Sequence, residues 1–162
     1  MKKRYALAFL LTALAGTALH FAYDWCPSPL VGLFAPVNES VWEHLKLLFW
    51  PFLAAGFALT RGQAEKPAAW SGFLLAELGM PVFLIGIYYT LHAGFGVQSV
   101  YVDIGLYYLT LGLGFAAALR VNRSGRLGWL AGVLVILTGL YGAALILFTL
   151  APPELPIFMA VS

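Results

Sequence analysis

Cysteine and charge are what this sequence has least of. A single cysteine, Cys26, excludes an intrachain disulfide and any metal site built from clustered thiolates. Charged residues make up 10% of the 162 positions, against about a quarter in a soluble domain. That leaves no stretch polar enough for an appended soluble domain. The net charge of +2 reads as membrane topology, not as nucleic-acid binding. The H-E-x-x-H and H-x-x-x-H spacings of helix-borne metal sites are missing as well. What remains is 62% hydrophobic and falls into long runs. The expectation is an all-α polytopic membrane helix bundle, one integral membrane domain of about five spans.

Those spans are expected over residues 5–21, 38–60, 68–91, 100–119 and 127–150. Met1-Lys2-Lys3-Arg4 before an apolar run, with Ala15-Gly16-Thr17-Ala18 behind it, has the make-up of a signal peptide, but is read as a retained first span. Between Tyr23 and Pro36, prolines 27, 29 and 36 break helix, and the segment is too apolar for a solvated loop. It is expected to lie in the interface or to fold over the bundle as a lid. Pro51 deprives the Leu47 carbonyl of its donor and predicts a kink. Gly72, Gly79 and Gly86 recur every seventh residue and suggest a close-packed seam; that seam and Gly128-x-x-x-Gly132 are candidate homodimer faces. Lys2, Lys3, Arg4, Arg61, Lys66, Arg120, Arg123 and Arg126 fall on one side, leaving only Lys46 on the other. The positive-inside rule then predicts the N-terminus cytoplasmic and the C-terminus outside. The lipid bilayer is the expected partner, and nucleic acid is not.

The polar groups concentrate in Pro36–Pro51, where Asn38, Glu39, Glu43, His44 and Lys46 head an otherwise apolar helix. Asn38 suits an N-cap and Glu39 the first turn. With the topology above, His20, His44 and His92 share the outer side, joined by Asp24, Glu39, Glu43 and Asp103. Imidazole with carboxylate is the ligand set of zinc and other first-row divalent metals. His20, His44, His92 and Asp103 are therefore candidate metal ligands. Glu43 is the candidate general base, and Glu39 a further ligand or catalytic carboxylate. Lys46 would position an anionic group or hold Glu43 ionised. Asn38 and Asp24 are candidate substrate or relay groups. At about 100° per residue, Glu39 and His44 fall on different faces of one helix. Either His44 meets His20 and His92 at one contact while the carboxylates serve another, or a broad site spans both. Plainer roles stand beside these: Glu43 and Lys46 neutralising each other, Asp24 and Asp103 solvated, His20 and His92 capping helix ends. Glu77 stands apart in the inner half of the third span, either hydrogen-bonded to a neighbouring helix or the inner station of a proton path, with Arg120 the basic residue nearest to hand.

The stretch Asn38 to Lys46 resembles the N-E-S-x-W-E-H-x-K signature of a family of small prokaryotic multi-span membrane proteins without an assigned activity. The likeness extends loosely to His20-Phe21-x-Tyr23. It implies a multi-span membrane fold, located in the prokaryotic cytoplasmic (inner) membrane, and no mechanism. Three functions remain open at this point: a metal-dependent intramembrane hydrolase or lipid-modifying enzyme, a proton-coupled transporter of a small cation or metal that uses Glu77 as relay, and a non-catalytic membrane assembly subunit.

Overall fold

The computed structural model describes residues 2–63 and 67–160; Lys66 of the expected basic set and its neighbours Ala64 and Glu65 lie outside them. Six α-helices are joined by short turns: α1 (Lys2–Trp25), α2 (Pro29–Gly32), α3 (Val41–Thr60), α4 (Pro67–Tyr89), α5 (Val100–Ser124) and α6 (Ala131–Leu150). Among the described residues there is no strand, only an isolated antiparallel bridge between Ser40 and Ala160. The all-α bundle is as expected.

Among the described residues, four segments are long and apolar enough to cross a membrane: Lys3–Trp25, Ala69–Gly94, Val100–Ser124 and Gly128–Leu150. The fifth expected span, α3, has the length but carries Glu43, His44 and Lys46 in its first two turns, and it stands outside that set. Instead α3 is the axis of the fold. Leu45, Leu48, Phe49 and Phe52 are buried on it and pack with Phe73, Ala76 and Met80 of α4, Leu111 and Phe115 of α5, and Leu145 of α6. Phe52 meets Phe115 edge-on at 4.8 Å between ring centroids. The outer helices turn large apolar side chains outward, such as Leu10, Leu11 and Leu14 on α1 and Val133, Ile136 and Leu140 on α6. Apolar exposure on this scale marks a surface that meets lipid.

Several boundaries differ from those read off the sequence, each for a local reason. The first helix runs on to Trp25, because the first breaker after it is Pro27. The lid segment contains a one-turn helix, α2, started by Ser28, whose hydroxyl accepts from Val31 N, and by Pro29 at its first position. Asn38 is not the N-cap of α3. Ser40 is, in extended conformation, with its side chain accepting from Glu43 N. The fourth expected span continues to Ser124 and stops at Gly125, which takes φ 64° as a left-handed C-cap.

The glycine seam is corrected. A Cβ on Gly72 would strike the Asn122 side chain and the Ala118 carbonyl of α5, whereas Gly79, Gly86 and Gly132 have nothing within 4 Å of that position. Within the chain the spacing thus holds one glycine against a neighbouring helix and leaves Gly79 and Gly86 exposed. The close approaches lie at Gly16, Gly114 and Gly142 instead. The exposed basic residues Lys3, Arg4, Arg61, Arg120, Arg123 and Arg126 cluster at the end opposite the histidines.

Candidate functional site

The histidine end begins with the turn before α3. The Asn38 side chain accepts from Ser40 N at 2.9 Å, an Asx turn. Ser40 then caps the helix, leaving Glu39 outside helical register with 66% of its side chain exposed. The expectation that Glu39 and His44 point to different faces assumed a helix from Asn38. With Glu39 in the turn, its Oε2 swings to 3.3 Å from His44 Nε2.

His44 is held at its other nitrogen. Nδ1 lies 2.8 Å from the Ser40 carbonyl, which only accepts, so Nδ1 carries the hydrogen. In the neutral ring, Nε2 then offers a lone pair to a carboxylate that also offers lone pairs. A second ring proton, a bridging water or a metal ion between them would reconcile the two. His20, near the end of α1, stands beside this pair with its ring 5.1 Å from that of His44. Its Nδ1 is buried and without a hydrogen-bond partner among the described residues. One ligand atom from each of His20, Glu39 and His44 lies within 4.8 Å of the others. A tetrahedral zinc with bonds of about 2.0–2.1 Å sets its ligands about 3.4 Å apart. Glu39 and His44, 3.3 Å apart, already match that spacing, so any closure needed is at His20.

His92 does not join this group. It sits in a π-helical turn, Thr90–Gly94, at the end of α4. There its Nε2 meets Asp103 Oδ1 at 2.8 Å, and Tyr88 stacks on the ring at 4.0 Å. The expected three-histidine set therefore divides: two histidines with Glu39, and His92 with Asp103. Equal depth, read from sequence, carried no information on which helices are neighbours.

Glu43 and Lys46 are likewise separate from the metal-type group. Lys46 is 0% exposed and spends its three donors on Gly32 O (2.7 Å), Ala35 O (3.3 Å) and Glu43 Oε2 (2.6 Å). Glu43, 2% exposed, also accepts from Val37 N at 2.9 Å. The Thr149 hydroxyl of α6 lies 2.7 Å from Glu43 Oε1 and 2.8 Å from the Leu145 carbonyl, sharing one hydrogen between them. Trp50 Nε1 donates to Leu33 O at 3.2 Å. These bonds tie residues 32–37 down on α3 as a strap, a role beyond the mutual neutralisation expected of the Glu43–Lys46 pair.

Asp24 is exposed on the last turn of α1, and Cys26 is a free, exposed thiol. Glu77 is 1% exposed, with neither carboxylate oxygen partnered among the described residues; Arg120, at the surface, does not pair with it. Sequence reasoning passed over Ser40, although Ser40-x-x-Glu43 is the spacing of a capping box. It also passed over Thr149, which no local pattern marks.

A bundle of apolar helices enclosing an ion pair, with a histidine–carboxylate group at one end, defines a helical membrane protein with a candidate cation-binding site. The chain belongs to the family of unknown function DUF6512, whose model matches residues 1–161. No curated protein and no solved structure matches it.

Proposed function

We propose that this is a prokaryotic inner-membrane metalloprotein that holds a zinc-class divalent ion with His20, Glu39 and His44 at its outer end, and that it is a metal-dependent hydrolase. The observation that carries the metal is the confrontation of His44 Nε2 with Glu39 Oε2 at 3.3 Å, beside the unpartnered Nδ1 of His20. Two imidazoles and one carboxylate without cysteine suit zinc, iron or manganese. The hydrogen bond from His44 Nδ1 to the Ser40 carbonyl is the usual outer support of a metal-bound histidine.

Three protein ligands leave a coordination position open, which is the catalytic layout. A divalent ion held by His20, Glu39 and His44 would supply Lewis-acid activation of water or of a carbonyl at that position. Glu43 is committed to Lys46, Val37 and Thr149, so it does not serve as base. Asp24, four residues beyond His20 on the same face of α1, is the free carboxylate that would take the proton. Phe21, Trp25, Leu30 and Phe34 are exposed around this end. They favour a lipid or another membrane-anchored ester or amide as substrate. The basic cluster at the opposite end supports a cytoplasmic N-terminus.

The test is elemental analysis of protein purified in detergent without chelator. About one zinc-class ion per chain is expected, lost in His20→Ala and His44→Ala. Metal-free wild-type protein would overturn the reading. With metal present, cleavage of a fluorogenic ester lipid in proteoliposomes, abolished by His44→Ala and slowed by Asp24→Asn, tests the hydrolase.

A further inference from the structure

Where α1 lies beside α5, the bundle carries an open apolar groove of about 230 Å³. Tyr5 and Phe9 of α1 line one side, and Gly112, Ala116 and Leu119 of α5 the other. Buried Phe115, edge-on to Phe9 at 6.1 Å, forms the floor. The two helices are tied above and below this stretch. Above, Gly16 lies close against the Tyr107 side chain. Below, Asn122 Nδ2 donates to the Tyr5 hydroxyl at 3.2 Å. Between those ties Gly112 and Ala116 are too small to close the gap; even a Cβ on Gly112 would only touch Phe9, at 3.8 Å.

The groove opens toward the basic end. Lys3 and Arg4 precede Tyr5 on α1, Arg120 and Arg123 follow Leu119 on α5, and all four are exposed. Arg123 is the one in phase with the groove. It lies four residues beyond Leu119 and seven beyond Ala116, on the same face of α5 and about 6 Å further along the axis than Leu119. The neighbouring residue, Asn122, is the one bonded to Tyr5, so Arg123 stands where the two helices are held together. Asn122 Oδ1 accepts from Gly72 N at 3.1 Å, which turns its Nδ2 to the Tyr5 oxygen. The Tyr5 oxygen thus accepts, and its own hydrogen has no acceptor among the described residues.

In a bilayer an apolar groove of this kind is filled by acyl chain, whatever the headgroup. The charges select the headgroup. Guanidinium and hydroxyl donors match phosphate oxygens. Among the described residues no carboxylate pairs with the basic side chains of this end. Basic pockets between membrane helices favour lipids of net negative charge. A second copy of the chain in the same orientation would bring its own basic end against this one, and like charges oppose that contact.

We propose that the groove between α1 and α5 binds an anionic phospholipid of the leaflet at the basic end. One acyl chain lies along Gly112 and Ala116, and Arg123 and the Tyr5 hydroxyl hold the phosphate. Lys3 and Arg120 add the field that prefers a negative headgroup to a zwitterionic one. The site is independent of the histidine end.

The experiment is thermal unfolding of the full chain in detergent, titrated with phosphatidylglycerol or with phosphatidylcholine of the same acyl chains. The wild-type Tm should rise saturably with phosphatidylglycerol, at a midpoint about fivefold or more below that for phosphatidylcholine. Arg123→Gln should raise the phosphatidylglycerol midpoint about fivefold and leave that for phosphatidylcholine in place. Ala116 is exposed, so Ala116→Trp fills the groove without disturbing the core and should abolish both responses. Arg61→Gln removes one charge from the same end but away from the groove, and His44→Ala removes a ligand of the metal centre; both should keep the wild-type midpoints. Equal midpoints in the wild type, an Arg61→Gln shift as large as that of Arg123→Gln, or an unaltered response in Ala116→Trp overturns the proposal. So does a dimer, seen by light scattering, that Ala116→Trp dissociates, since the groove would then belong to a second copy.

Discussion

Lys46 Nζ and Glu43 Oε2 stand 2.6 Å apart on consecutive turns of α3, in a place that water does not reach. The pair is shared among three parts of the chain, since Lys46 also holds two carbonyls of the 32–37 strap and Glu43 also meets Thr149 of α6. A buried ion pair adds little net stability over an apolar pair, but losing one member leaves an uncompensated charge.

Lys46→Met should therefore destabilise the protein by about 3–5 kcal/mol. The double variant with Glu43→Gln should recover a large part of that loss. A chemical-denaturation double-mutant cycle in detergent measures both; strictly additive losses would contradict the shared-pair account.

Gly16 is the second sensitive point. A Cβ there would strike the Tyr107 hydroxyl and come within 2.8 Å of the Leu47 carbonyl. Gly16→Ala should cost about 1–3 kcal/mol, partly relieved when Tyr107→Phe removes the hydroxyl. Gly79→Ala, which meets open space, should be neutral or slightly stabilising. Comparing the three melts decides the matter.

The turn before α3 separates two roles that the sequence runs together. Asn38→Ala removes the Asx bond that throws Glu39 toward His44, and zinc affinity in a chelator competition should fall by about 10–100-fold. Ser40→Ala loses the helix cap, worth about 1 kcal/mol, but keeps the carbonyl that orients His44. Its zinc affinity should change much less. Equal losses in both variants would mean that the turn matters only for folding.

His92→Ala should leave metal stoichiometry unchanged, because His92 is committed to Asp103. A double-mutant cycle of His92→Ala with Asp103→Asn should show a coupling of about 0.5–1 kcal/mol. Loss of metal in His92→Ala would restore the three-histidine arrangement.

How much of this was legible beforehand follows from which interactions are local. Hydropathy is local, so an all-helical membrane bundle could be read directly, as could the prominence of the Asn38–Lys46 stretch. Proline effects are local too, and the freed carbonyls of Leu47 and Glu77 lie four residues before Pro51 and Pro81. Partners across helices are not. His20 meets His44 while His92 meets Asp103 because of how helices neighbour one another, and depth alone does not say that. The misplaced Glu39 has a smaller cause: moving the cap from Asn38 to Ser40 rotates the preceding carboxylate out of helical phase. The seven-residue glycine repeat does not form a seam within the chain beyond Gly72, because spacing along one helix does not name the helix opposite.

The bridge between Ser40 and Ala160 bears on the order of assembly. Around it, Trp42 packs on Phe148 and Phe158 at 5.4 and 4.9 Å, so the segment after α6 covers the start of α3. Ala160 leaves the ribosome about 120 residues after Ser40, and contacts this distant in the chain form late. During synthesis the first three helices can gather while the histidine end still lacks its cover. Closure of that end then waits on insertion of α6, and a ribosome stalled inside α6 would hold a nascent chain with its core begun and its site unfinished.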